Sequence, residues 1–334
     1  VKILIIKPSS LGDVIHALPF LKAVKDTFPE STIDWIISSG LEGLLEGNPL
    51  INELIVINKD SWKRPKNIRR TSRELINLRR RLSSRGYDLV IDLQGLLRSG
   101  VISRFATSSL KIGFADAREG SRYLYDRRVS VNGIAHAVDK NLAVARAIGA
   151  RIRAVKFPLF IDHKARESIR RLLNGIEEYI VIIPSARWPT KRWPEEGFAR
   201  LIERVSLPCV IAGGGQDRHI AQRISRLSRG RPINICGETS LKELSALISG
   251  ARVVVSPDTG PMHIAVALGV PVVALYGPTD PVRTGPYGWQ WKDNIRVISS
   301  GAPCSPCLKK RCKEPLCMTG IGVDMVVKEV EGLI

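Results

Sequence analysis

Asp13 is a carboxylate set in 9-SSLGDVIHALP-19, directly after the strand-like run 1-VKILIIKP-8. A glycine-bearing loop between a strand and a helix ordinarily reads as a phosphate cradle, yet this one has a single glycine and puts a negative charge where a phosphate would sit. A carboxylate there can take a proton from a hydroxyl, or it can cap a helix beginning near Val14. A second chemical cluster lies in 252-RVVVSPDTGPMHIAVALGVPVVALYGPT-279. Asp258, Thr259 and Gly260 form a turn, Pro261 has the fixed φ favoured at a first helical position, and Gly269 ends the small-residue helix that follows. Free backbone N–H groups at that helix start, beside the Thr259 hydroxyl and the His263 imidazole, make an anion site suited to a diphosphate. The bland alternative is a capped helix in an α/β core. In 211-IAGGGQD-217, Asp217 follows a strand end and is placed to accept from ribose hydroxyls.

Cysteines supply a third cluster, 304-CSPCLKKRCKEPLCM-318. Cys304, Cys307, Cys312 and Cys317, spaced C-x2-C-x4-C-x4-C, could ligate a structural zinc or an iron–sulfur cluster, with free thiols or oxidised pairs as the alternatives. The spacing is tighter than that of a usual two-knuckle zinc site. Cys209 and Cys236 fall in or beside strands and read as core fillers.

The elements that must position these residues alternate in kind. VKILIIK, STIDWIIS, ELIVIN and YDLVIDL are β-rich runs in the first half, with helical spacing at Ile15, Leu18, Leu21 and Val24 between the first two. EYIVIIP, LPCVIAGG, ARVVVSPD and VPVVALYG repeat the plan, separated by FARLIERV, HIAQRISRLS and LKELSALISG. Continuous apolar strands alternating with helices predict α/β architecture with parallel sheets covered on both faces. Two such units, joined between 157 and 174, predict two Rossmann-like domains facing a central cleft, with ligands at the carboxyl ends of the strands. The tail 323-VDMVVKEVEGLI-334 reads as a closing helix.

Composition bounds the partner. The 334 residues suffice for two domains, and 44% hydrophobic content can fill two cores. No run of about 18 apolar residues exists and the first residues read as a core strand, so a soluble, cytoplasmic protein is expected. Lysine and arginine number 51 against 32 acidic residues, a formal charge of +19 that calls for an anionic partner. Eleven basic and two acidic residues fall between Lys59 and Arg85, where a loop bearing Lys63, Arg64 and Lys66 leads into a helix from about Ser72. A dehydrogenase is disfavoured because no G-x-G-x-x-G follows the first strand. A nucleic-acid binder would need interleaved aromatics or a recognisable module, and neither is present. A non-catalytic adapter on the same scaffold is opposed by the joint presence of Asp13, Lys191, Asp258 and His263.

The chain resembles glycosyltransferase family 9, the ADP-heptose:lipopolysaccharide heptosyltransferases. The matching segments are K-P-S-S-L-G-D-V-I-H-A-L-P at 7–19, D-L-Q-G-L-L-R-S at 92–99, A-R-E at 117–119, H-A-V-D-K at 136–140, T-K-R-W-P-E-E at 190–196 and S-P-D-T-G-P-M-H-I-A at 256–265. The resemblance implies the GT-B fold, with an acceptor domain at 1–160, a nucleotide-sugar domain at 161–321 and the closing helix at 322–334. It implies an inverting transfer of heptose from ADP-heptose to the lipopolysaccharide inner core, at keto-deoxy-octulosonate or the first heptose, or of another sugar in a family relative. Asp13 is then the general base and Lys191 the phosphate-contacting lysine. Asp258 holds the donor sugar, and Thr259, Gly260 and His263 hold the diphosphate. Asp217 and Thr239 lie towards the nucleoside. Ser10, Lys63, Arg64, Lys66, Arg98, Arg118 and His136 face an acceptor carrying carboxylates and phosphates on a lipid. No cofactor is expected for catalysis, and the basic surface would hold the enzyme against the anionic inner leaflet of the cytoplasmic membrane.

Overall fold

The apolar run KILII (β1, Lys2–Ile6) has Ile3, Leu4, Ile5 and Ile6 fully buried, which a strand achieves only when both faces of its sheet are covered. The computed structural model describes residues 1–63 and 67–334, with Lys63 described in its backbone alone. The chain divides into two compact units, Val1–Phe160 and Ile161–Ile334. In the first, β1 is followed by β2 (Thr32–Ser38), β3 (Glu53–Ile57), β4 (Tyr87–Asp92), β5 (Ser108–Phe114) and β6 (Arg127–Val129). They form one sheet in the order β3-β2-β1-β4-β5-β6, every neighbouring pair parallel. The second unit contains β7 (Ile180–Ile182), β8 (Cys209–Ile211), β9 (Ile233–Asn234), β10 (Val253–Pro257), β11 (Val272–Tyr276) and β12 (Ile295–Ser299). Its order, β12-β11-β10-β7-β8-β9, is again parallel throughout, and numbered from its own first strand it repeats the order of the first sheet.

That order has a consequence for function. Strand order reverses between β1 and β4 in one unit and between β7 and β10 in the other, so the loops leaving these strands diverge and open a crevice at the carboxyl edge of each sheet. Asp13 follows β1, and Lys191 and Asp258 follow β7 and β10.

Helix starts differ from expectation for local reasons. The first helix spans Leu11–Thr27 with Ser10 as its N-cap, so Asp13 is inside the first turn rather than capping a helix from Val14. Ile15, Leu18, Leu21 and Val24 all lie buried on it, as their spacing predicts. The basic helix spans Ile68–Ser83, one turn earlier than Ser72, and buries only Leu78 and Leu82. Pro261 occupies the second position of helix Gly260–Leu268, after an N-cap at Thr259, and Gly269 ends that helix in the left-handed conformation (φ 75°) that a side chain would disfavour. The last helix, Val323–Glu331, packs on helix Glu195–Arg204 of the second unit and buries Val326 and Val330.

Candidate active site

In the first unit, the loop between β1 and its helix is tied down from both ends. The Ser10 backbone N–H and hydroxyl both donate to Asp13 Oδ2, at 2.8 and 2.7 Å. The carboxylate thus caps the helix start while Asp13 remains partly exposed. Both capping and proton acceptance use the same group, and the half-open position leaves it reachable from solvent. Beneath it is a residue that sequence reasoning passed over. Lys7 is buried, and its Nζ donates to the Leu93 carbonyl at 2.6 Å. Burial lowers its pKa below the ordinary 10.5, Asp13 and Asp92 pull it back up, and Arg118 pushes it down. Lys7 therefore faces the field of both carboxylates and of one site arginine. Asp92, fully buried at the end of β4, accepts from the Gln94 and Gly95 backbone N–H groups and from the Tyr125 hydroxyl. Burial pushes its pKa up against those hydrogen bonds.

The other residues expected to face the acceptor belong to the same unit. Ser10 is exposed, and Arg98, second in helix Leu97–Phe105, reaches the Lys59 carbonyl at 3.5 Å. Arg118 follows β5 and is held through its backbone N–H to Gly95 O at 2.9 Å. His136 caps helix Ala137–Ala147, its Nδ1 accepting from Val138 N at 3.1 Å, and its ring meets the His16 ring edge-on at 5.4 Å. Arg64 and Lys66 lie outside the described residues, as does the Lys63 side chain.

In the second unit, Lys191 sits in the 3-10 turn Pro189–Lys191 after β7 and Asp258 directly after β10. Their side chains, 67 residues apart in sequence, meet at 2.6 Å, and both are largely withdrawn from solvent. The amino end of helix Gly260–Leu268 follows Asp258 within two residues, so its unpaired N–H groups lie beside the pair. Thr259 and Gly260 at that end are partly exposed, and His263 is buried one turn in. Lys191 Nζ also lies 4.7 Å from the centre of the Trp188 ring. Asp217 is more committed than expected. Its Oδ1 accepts from the Ser185 hydroxyl at 2.6 Å and its Oδ2 from Gly214 N at 3.1 Å, so it shapes the glycine loop after β8. Thr239 is partly exposed and immediately precedes Ser240, the N-cap of helix Leu241–Ser249.

The four cysteines of the carboxyl-terminal segment differ in burial: Cys317 is buried, Cys307 partly exposed, and Cys304 and Cys312 exposed. Among the described residues, no three His, Cys, Asp or Glu side chains gather so as to hold a metal ion. Cys317 lies in the short helix Leu316–Thr319 and is buried beneath Gly277, where a Cβ would collide with Met318 Sδ and come 3.0 Å from Cys317 Sγ. Cys304 and Cys312 are exposed, and the Cys312 thiol donates to the Glu314 carbonyl at 3.3 Å. Burial first, then Cys304 and Cys307, push the Cys317 thiol's pKa up. Cys209 and Cys236 are buried fillers, their thiols raised by burial to about 12 and about 11.

Known proteins share this plan. Residues 75 to 318 match the model of glycosyltransferase family 9 (heptosyltransferase). Lipopolysaccharide heptosyltransferase 1 of Pseudomonas aeruginosa is 32% identical, aligned over 100% of this chain and 98% of that protein. The E. coli heptosyltransferase WaaC, solved with ADP-2-deoxy-2-fluoro heptose, superposes with a TM-score of 0.79 at 26% identity, over 98% of this chain and 99% of that one. A family 9 glycosyl transferase from Veillonella parvula superposes with a TM-score of 0.85 at 24% identity, over 99% and 96% of the two chains, a likeness of fold. Two parallel six-stranded sheets of this order are the two-domain GT-B fold that the resemblance implies. Since the family match takes in more than half of the chain, and a full-length relative aligns from end to end, the protein belongs to glycosyltransferase family 9 and is a glycosyltransferase.

Proposed function

We propose that this enzyme transfers a heptose from ADP-heptose to the lipopolysaccharide inner core, onto keto-deoxy-octulosonate or the first heptose, with inversion at the anomeric carbon. The observation that carries the reading is the Lys191–Asp258 pair at the amino end of helix Gly260–Leu268, on the switch point of the second sheet. Its chemistry suits a sugar diphosphate, and the relative from Pseudomonas aeruginosa and the E. coli structure are both named heptosyltransferases. Asp13 takes the proton of the acceptor hydroxyl. The freed oxygen attacks the anomeric carbon opposite ADP, the carbon–oxygen bond to the diphosphate breaks, and the bonding pair leaves with ADP.

The charge arriving on the diphosphate is met by Lys191, by the backbone N–H groups at Thr259 and Gly260, and by His263. Donors fixed in place before the reaction stabilise that charge without reorganising. Asp258 orients Lys191 and holds the sugar hydroxyls, while Asp217 and Thr239 border the nucleoside. Ser10, Arg98, Arg118 and His136, with Lys63, Arg64 and Lys66, bind the anionic acceptor. Among the described residues no helix is long and apolar enough to cross a membrane. A surplus of 19 positive charges supports attachment to the anionic inner leaflet of the cytoplasmic membrane, where a lipid-borne acceptor is found.

The test is Asp13→Asn, which keeps the hydrogen-bonding shape and removes the base. We expect kcat to fall by about 100-fold or more with ADP affinity nearly unchanged, as loss of general-base catalysis requires. Turnover close to wild type would remove Asp13 from the role.

A further inference from the structure

The cysteine-rich segment follows β12 and, on the chemistry above, has no role of its own. Its path gives it one. Leu308 N donates to the Pro278 carbonyl at 2.8 Å, and the Ser305 hydroxyl donates to the Gly277 carbonyl, so the segment is fastened to the chain leaving β11. Leu308 is a non-glycine residue in the left-handed region (φ 57°), a conformation that persists where surrounding contacts determine it. One residue on, the Lys309 carbonyl accepts from the hydroxyl of buried Thr190 at 2.8 Å. Thr190 belongs to the turn Pro189–Lys191, so the segment is bolted to the turn that carries Lys191. The next side chain, Lys310, extends over the Trp188 ring, its Nζ 5.2 Å from the ring centre, while Lys191 Nζ lies 4.7 Å from the same centre. Two ammonium groups therefore share one indole at the carboxyl edge of the second sheet.

The two ring distances put the ammonium groups no more than about 10 Å apart, within reach of one extended polyanion that would be attracted by both. Lys191 already spends its charge on Asp258 at 2.6 Å, whereas Lys310 is exposed and pairs with no carboxylate among the described residues. A diphosphate carries more than one negative charge, more than a lysine neutralised by its aspartate can balance. We propose that Lys310, placed by the cysteine-rich segment and steadied on Trp188, is a second cation for the diphosphate of the nucleotide sugar, binding it together with Lys191. This rests on the reading of Lys191 and the Gly260–Leu268 helix start as the donor site.

The experiment measures ADP and AMP affinity by calorimetry on the full chain for wild type, Lys310→Ala, Lys310→Arg and Lys191→Ala, with melting temperature as a folding check. Lys310 is exposed, so its variants should melt as wild type does. We expect Lys310→Ala to weaken ADP about 5- to 10-fold, the range for one charge-assisted contact, with AMP affinity unchanged and Lys310→Arg close to wild type. If Lys191→Ala weakens ADP but Lys310→Ala does not, the donor site stands and the role of Lys310 is refuted. If Lys310→Ala weakens ADP and AMP alike, the lysine does not read the diphosphate and the proposal fails. If neither variant alters ADP binding, the donor-site reading falls and takes the proposal with it.

Discussion

Asp13 and Lys7 show how far a single residue can be read from sequence. Asp13 was conspicuous in the sequence because a carboxylate in a strand–helix loop contradicts the usual phosphate chemistry of that turn. Lys7 was not, although it stands in the same motif, since a lysine at a strand end usually escapes to solvent. Only the structure places it among Asp13, Asp92 and Arg118, under the Leu93 carbonyl. The consequence is measurable. With its folded pKa lowered below 10.5, Lys7 binds fewer protons in the native than in the unfolded chain between the two values. Stability therefore rises with pH through that window, where the unfolded state holds the extra proton. Lys7→Met lacks the group, so the melting temperature of wild type relative to the variant should climb as pH rises towards 10.5. Parallel profiles would mean that Lys7 is not buried as charged.

At the scale of elements, the motifs that announce themselves locally were the ones that could be placed. The turn Asp258-Thr259-Gly260, the helix after it and its glycine stop are all encoded within a dozen residues. The Lys191–Asp258 pair spans 67 positions and depends on β7 lying beside β10, a register that no local pattern carries. Helix starts slipped for a different reason: Ser10 begins the first helix a turn before its apolar stripe does. Helix Leu241–Ser249 illustrates what such caps contribute. Ser240 Oγ accepts from Glu243 N at 3.2 Å, and the Glu243 carboxylate accepts from Ser240 N and Oγ, each at 2.8 Å. Ser240→Ala should cost about 1 kcal/mol by urea unfolding, the usual worth of an N-cap, and should loosen Thr239 beside it. The Ser168 hydroxyl and then Ser240 hold the Glu243 carboxyl below its ordinary 4.5. A lowered carboxylate stabilises the fold above 4.5, and the contribution is lost as pH falls through the lower folded value. The stability gap between wild type and Glu243→Gln should therefore close on acidification below 4.5, and a gap that persists would reassign the effect to packing.

For the whole molecule, two parallel sheets of identical strand order place Asp13, Lys191 and Asp258 after the carboxyl ends of their strands, and alternation of apolar strands with helices was enough to foresee the sheets. Charge foretold an anionic partner without saying which one. If Lys63, Arg64 and Lys66 meet the acceptor's carboxylates and phosphates, replacing all three with glutamine should raise acceptor KM several-fold at low salt. ADP affinity should hardly change, and the effect should shrink as salt screens exposed charge over about 8 Å. An unchanged acceptor KM at low salt would take this loop out of the acceptor site. The spacing of the four cysteines suits thiolate ligation but carries no information on burial, and the structure buries Cys317 under Gly277 while Cys304 and Cys312 stay exposed.

The central claim is heptose transfer by this chain, and product analysis tests it directly. Purified protein would be incubated with ADP-heptose and a panel of truncated lipopolysaccharide cores, and the lipids weighed by mass spectrometry. The account predicts a single added heptose on one inner-core acceptor, inverted in configuration by NMR and absent when Asp13→Asn replaces wild type. Transfer with retained configuration, or equal product from the Asp13→Asn variant, would contradict it, as would no product on any core in the panel.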